Sequence, residues 1–213
     1  FLLAILFATF AAVLNTVFRP LFEAVPVVGL VLFFVLVVGP VEESVKWLSI
    51  RVPAYDGPSF NTVVDGVVYG AVAGLGFAAV ENLTYILDAY LMVADAGTTA
   101  QVRTAFGTAI GRALVGPGHV LFSALAGFYL GLAKFNPASR GPIVVKGLLL
   151  AALAHAAYNS IVSYVPFSDV TFVAFVVLFD GVLLVVILRK VARYETYYHA
   201  LDNGDGGQSP GGP

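Results

Sequence analysis

The sequence predicts an all-α polytopic transmembrane helix bundle of about six spans, with an extra amphipathic segment before the fourth. Three observations lead there. Of 213 residues, 59% are hydrophobic and only 11% are charged, whereas charged residues make up about a quarter of a soluble domain. Mean hydropathy is +0.91. Several apolar runs are long enough to cross a hydrocarbon core of about 30 Å at about 1.5 Å per residue. The net charge of −2 offers no basic field for nucleic acid, and the chain has no cysteine for disulfides, thiolate metal sites or nucleophiles.

The first predicted span, Phe1–Phe18, is closed by Arg19-Pro20. It lacks a basic leading segment and a small-residue cleavage site, so it reads as a span and not a signal peptide. The second runs from about Val27 to Arg51, with Pro40 free to kink it. Turn formers between Pro53 and Ser59 separate it from the third, which Asn61 or Thr62 can cap and which reaches about Leu87. Gly66, Gly70 and Gly74 recur every four residues along this third helix. Small residues at that spacing admit a close neighbour, so it is expected near the centre.

A polar loop, 88–99, precedes an amphipathic segment, Arg103–Val115, that Gly116-Pro117-Gly118 is expected to break. The fourth span follows over His119–Phe135, the fifth over about Ile143–Val165 before Pro166, and the sixth over Thr171–Leu188. Residues 1–201 thus form one transmembrane helical domain, and the Gly/Pro-rich stretch 202–213 reads as a disordered polar tail. His199 falls beside that tail and reads as solvated. Lys134, Arg140 and Lys146 in one loop, and Arg189, Lys190 and Arg193 after the last span, place both termini in the cytoplasm of a multi-pass cell-membrane protein. Arg19 and Arg103 are exceptions to this pattern.

Against this apolar background, five places carry groups that lipid excludes: Glu42/Glu43 with Lys46, Glu81 with Asn82, Arg112, His119, and His155 with Asn159. An ionised side chain at mid-bilayer costs about 2.5–3.5 kcal/mol on insertion scales. Glu42/Lys46, Phe77/Glu81 and His155/Asn159 are each four residues apart, so each pair shares one helix face. Four spans therefore present polar groups to a common interior.

Singly, each group has a structural explanation. Glu43 and Lys46 can neutralise each other, His119 can be an interface hydrogen-bonder, Arg112 can snorkel or pair with an acid, and Asn159 can join helices. Asp180 lies apart and has no assigned role. Together the groups suit two chemistries. One is hydrolysis, with a carboxylate deprotonating water and imidazole or amide donors at the oxyanion. Two histidines and a glutamate also form an acceptable zinc set with a position open for water, although His-Glu-x-x-His is absent. The other chemistry is proton or ion transport through buried Glu and His.

The ordered set Glu42-Glu43-x-x-Lys46, Phe77-x-x-x-Glu81-Asn82, Gly118-His119 and His155-x-x-x-Asn159 resembles the four motifs of PrsW-type intramembrane proteases. These are distant relatives of the CAAX prenyl protease/Abi superfamily. Prenyl proteases carry Glu-Glu-x-x-x-Arg and Phe-x-x-x-His. Here Lys46 comes one position earlier and Glu81 replaces the histidine, which favours the PrsW branch.

The resemblance implies an intramembrane endopeptidase that hydrolyses a peptide bond in a membrane-anchored, single-span protein, for example an anti-sigma-factor-like substrate. It implies catalytic roles for Glu42, Glu43, Lys46 and Asn159. Glu81, His119 and His155 would hold a metal or position the water, with zinc or no cofactor at all. Membrane lipids are the other expected partner. The alternatives are a proton- or ion-coupled transporter and a non-catalytic membrane scaffold.

Overall fold

The computed structural model describes residues 1–202, with side chains through 198. The tail assigned to 202–213 and the side chain of His199 therefore lie outside the described residues, apart from the backbone of Asp202. Every regular element among the described residues is helical: α1 (Leu2–Glu23), α2 (Gly29–Phe33), α3 (Gly39–Arg51), α4 (Val63–Leu91), α5 (Thr98–Lys134), α6 (Arg140–Tyr164) and α7 (Asp169–Asp202). Five helical stretches are long and apolar enough to cross a membrane. A sixth rod joins α2 to α3 through a π-helical turn at Phe34–Val38. The molecule is the all-α polytopic bundle expected.

Three local differences lie at prolines; apart from these, the last helix runs to Asp202, beyond the expected end at Leu188, and α4 reaches Leu91. Pro40 does not break the second rod. It sits at the start of α3, where its missing N–H leaves the carbonyl one turn earlier without a helical donor, and the backbone widens into the π turn just before it. Pro20 likewise lies inside α1, which continues to Glu23 instead of closing at Arg19-Pro20. The expected break at Gly116-Pro117-Gly118 is absent, because α5 runs unbroken from Thr98 to Lys134. Glycines on both sides of Pro117 remove side-chain crowding around its ring, and one missing hydrogen bond is a small loss in a 37-residue helix. The amphipathic segment is thus the N-terminal part of the fourth span.

Glycine sets the packing. α4 begins at a capping box: Thr62 Oγ1 accepts from the Asp65 N–H at 3.1 Å, and Asp65 Oδ2 accepts from the Thr62 N–H at 2.7 Å. From there Gly66, Gly70 and Gly74 face the α5 backbone at Gly127, Ser123 and His119, forming the most extensive helix contact of the fold. A Cβ on Gly70 would run into the Ser123 carbonyl oxygen. Gly70→Val is expected to lower stability by about 1–3 kcal/mol, the usual range for overpacking, as read by the thermal midpoint in detergent. Gly107→Ala, inside α5 where a Cβ meets nothing within 4 Å, is the control and should not lower the midpoint.

On the other side of α5, Phe122, Leu125, Phe128, Tyr129 and Leu132 pack with Tyr158 of α6 and Val176, Leu183 and Ile187 of α7. Gly39 brings α3 against the α6 backbone at Ala152. The α2–α3 rod and α6 run antiparallel, with Tyr164 of α6 meeting Val27 at the start of that rod. Helix side chains lean toward their own N-terminus, so Glu43 and His155 both lean back to this close contact and meet there. α1 packs at the side through Ala4, Ala8 and Ala11, its buried residues. At one end of the bundle, Lys134 Nζ donates to the backbone carbonyls of Tyr55 and Phe60, tying the loop after α3 to the end of α5.

Candidate functional site

Glu42, Glu43 and Lys46 of α3 each have a partner on another helix: Asn15 of α1, His155 of α6 and His119 of α5. Glu42, Glu43 and Lys46 are 3%, 0% and 1% exposed, so nothing here is a solvated face. Lys46 Nζ donates to Glu43 Oε1 at 2.7 Å and to His119 Nδ1 at 2.9 Å, and lies 3.6 Å from Glu42 Oε2. It also sits 4.2 Å above the Phe77 ring centroid, a cation–π contact. Because His119 Nδ1 accepts from the ammonium, its Nε2–H is the donor, and it points at Glu81 Oε2 at 2.9 Å. The Arg112 guanidinium in turn pairs with Glu81 and donates to Asn82 Oδ1 at 2.7 Å. A continuous polar chain thus runs from Arg112 through Glu81, His119 and Lys46 to Glu43.

His155 closes the arrangement from α6. Its Nδ1 lies 3.0 Å from Glu43 Oε1, and a carboxylate can only accept, so Nδ1 carries the proton. The opposite nitrogen, Nε2, then keeps its lone pair and lies 3.8 Å from Glu42 Oε2. Phe122 stacks on the His155 ring at 5.0 Å between centroids, and His119 meets it edge-on at the same separation. Both rings are therefore held in place.

This pattern separates the two glutamates. Glu43 is saturated: Oε1 accepts from Lys46 and His155, and Oε2 faces Ser123 Oγ at 3.5 Å. Glu42 is not, because Oε2 is buried without a hydrogen-bond donor. An acceptor oxygen and an imidazole lone pair facing each other across a buried gap call for a bridging proton, water or cation.

The donor set also fits a metal ion. One ligand atom each from Glu42, His119 and His155 lies within 4.8 Å of the others, and all three residues are buried. Both histidines give one N–H to a carboxylate, His155 to Glu43 and His119 to Glu81, the usual support for a metal-binding imidazole. His119 Nδ1 is taken up by Lys46 at 2.9 Å, so an ion bound there would replace the ammonium as its partner. Glu81 itself is engaged by Arg112 and His119, so Glu42 completes the triad in this geometry.

Of the residues expected from sequence, Glu42, Glu43, Lys46, Glu81, His119 and His155 form this one connected cluster. Asn159 lies one turn beyond His155, half-buried, and no hydrogen bond joins it to the cluster. Asp180 of α7 stays outside, with Oδ1 buried and unpartnered, and borders a groove of ≈ 560 Å³ with Asn82 and Arg112. Two participants were not foreseen. Ser123 approaches Glu43, and Asn15 Nδ2 donates to Glu42 Oε1 at 3.0 Å.

The fold and the site together define a multi-pass membrane protein with a buried Glu–Lys–His network shared by four helices. The chain belongs to the PrsW family: the family described as "PrsW family intramembrane metalloprotease" matches residues 1–187. A protein named Protease PrsW from Geobacillus kaustophilus is 36% identical over 119 residues, covering 55% of this chain and 46% of that protein. The Protease PrsW of Bacillus subtilis is 34% identical over 126 residues, 59% of this chain and 51% of the relative. That of Shouchella clausii is 29% identical over 163 residues, 75% of this chain and 67% of the relative. The chain spans about half the length of most of these curated relatives. No solved structure matches it.

Proposed function

We propose that the chain is an intramembrane endopeptidase whose reactive carboxylate is Glu42. The observation that carries this reading is the buried, donor-free Glu42 Oε2 facing the His155 Nε2 lone pair. A water seated beside this pair, within hydrogen-bond reach of both atoms, gives its proton to Glu42 Oε2 and adds through oxygen to the scissile carbonyl carbon. Glu42 then returns the proton to the departing amide nitrogen, which leaves as an amine. His155 aligns the water, and Glu43 fixes the His155 ring through Nδ1. Lys46 holds the glutamate pair, and Asn159, whose amide is free of the cluster, supports the developing oxyanion together with the local positive charge.

In a metal-loaded form, a zinc ion held by Glu42, His119 and His155 would acidify the water and polarise the carbonyl, and Glu42 and His155 would then serve as ligands in place of base and water-aligning group. The substrate class is a single-span membrane protein, as for an anti-sigma-factor-like target. Family membership and the enclosure of the cluster within the bundle support it. Both termini face the cytoplasm, in keeping with the basic loop at Lys134, Arg140 and Lys146 and with the tether from Lys134 to the loop that follows Arg51.

The test pairs metal content with cleavage. The purified wild-type chain should bind one zinc ion and cut a co-reconstituted single-span substrate. His119→Ala and His155→Ala should lose both properties, and chelator should abolish cutting. Cleavage that resists chelation, with no zinc bound, would remove the metal from this proposal and leave the glutamate mechanism. An ion flux with the substrate intact would replace the proposal by transport.

A further inference from the structure

We infer that Asn15 is a positioning residue for Glu42, which makes α1 part of the site. The inference rests on the reading of Glu42 as the reactive or metal-binding carboxylate. α1 is otherwise a peripheral helix. Its buried residues are Ala4, Ala8 and Ala11, and Asn15 follows at the next helical repeat of the same face. The alanines let α1 approach closely. Ala4 and Phe1 meet α4 at Gly76, while Ala8 and Ala11 pack on Val45 of α3 and Phe77 of α4.

That seam carries the Asn15 amide inward to Glu42, where Nδ2 donates to Oε1 at 3.0 Å. With Oε1 engaged, the carboxylate is held so that Oε2 is the oxygen turned toward His155 Nε2, 3.8 Å away. The contact has a cost, since Asn15 Oδ1 is left buried without a donor. A residue kept only to join helices would not leave its carbonyl stranded while giving its N–H to a site carboxylate whose other oxygen is unpartnered. Lys46 reaches Glu42 only at 3.6 Å, so Asn15 is the hydrogen bond that orients it.

The experiment uses the full chain in detergent and in liposomes. Zinc ion, in competition with a chromophoric chelator, reports affinity, and a single-span substrate reports kcat and KM. Asn15→Leu, and the smaller Asn15→Ala should Leu fail to insert, are expected to weaken zinc binding or kcat by about 10–100-fold, the usual effect of losing a group that orients a ligand. KM and the thermal midpoint should stay at wild-type values, and Asn15→Gln, which keeps the amide donor, should recover most of the loss. Wild-type zinc affinity and kcat in the Leu and Ala variants would overturn the inference alone. So would losses that merely track a lowered midpoint and persist in Asn15→Gln. A wild-type chain that neither cuts substrate nor binds zinc would instead overturn the reading on which the inference rests.

Discussion

Glu42→Gln is expected to reduce cleavage of a single-span substrate by about 10²–10⁴-fold, the range for removing a positioned general base, while the protein still inserts and folds. Glutamine keeps the shape and can still accept from Asn15, so helix packing has little reason to change. What disappears is the charge and the proton-accepting oxygen facing His155. Glu43→Gln should behave differently. Glu43 Oε1 is the shared acceptor for Lys46 and His155, so that substitution frees a buried ammonium and loosens the His155 ring, lowering stability as well as rate. Side-by-side cleavage assays and thermal midpoints separate the two. Full activity in Glu42→Gln would remove Glu42 from the mechanism.

Lys46→Met should cost about 3–5 kcal/mol of stability, the penalty for removing one partner of a buried pair. Lys46 is the cation between Glu43 at 2.7 Å and Glu42 at 3.6 Å, in surroundings where neither carboxylate reaches water. Without it, two adjacent carboxylates share one dry volume. Its contact to His119 Nδ1 is lost as well, so the imidazole on α5 loses its link to α3. The double variant Lys46→Met/Glu43→Gln removes both charges and should recover much of the loss, because replacing both partners of a buried pair is far milder than orphaning one. Thermal unfolding of the four proteins of this cycle gives the coupling directly. A single Lys46→Met variant as stable as wild type would show that the pair is not the anchor of the cluster.

Much of this was legible in the chain because its signals are local. Apolar run lengths specify the helices, and the four-residue repeat of Gly66, Gly70 and Gly74 marks the helix that meets α5 backbone to backbone. The i to i+4 spacing of Glu42 and Lys46, and the ordered motifs around Glu81, His119 and His155, foretell a shared interior. What was not legible depends on context. Pro117 between two glycines reads as a break, but one missing N–H does not stop a helix whose remaining hydrogen bonds have no water to compete with them.

Asn15 is one amide in an apolar span, and nothing in its local sequence says that it faces Glu42 and not lipid. Only the alanine seam at Ala4, Ala8 and Ala11 gives a hint. Ser123 is equally mute, since small hydroxyl residues are common at membrane helix contacts. The division of labour between Glu42 and Glu43 is likewise a matter of partners on other helices. Adjacent residues on one helix point about 100° apart, so one meets Lys46 and His155 while the other keeps an open oxygen.

The central claim, that the buried Glu–Lys–His network is a hydrolytic centre, is tested most directly by following the oxygen. Purified wild-type protein and a single-span substrate are reconstituted together in liposomes in ¹⁸O-water, and the products are read by mass spectrometry. The account predicts a cut within or beside the substrate span, with ¹⁸O in the new carboxyl terminus, and no such product with Glu42→Gln. Substrate recovered intact from the wild-type reaction, or a cut that persists undiminished in Glu42→Gln, would contradict it.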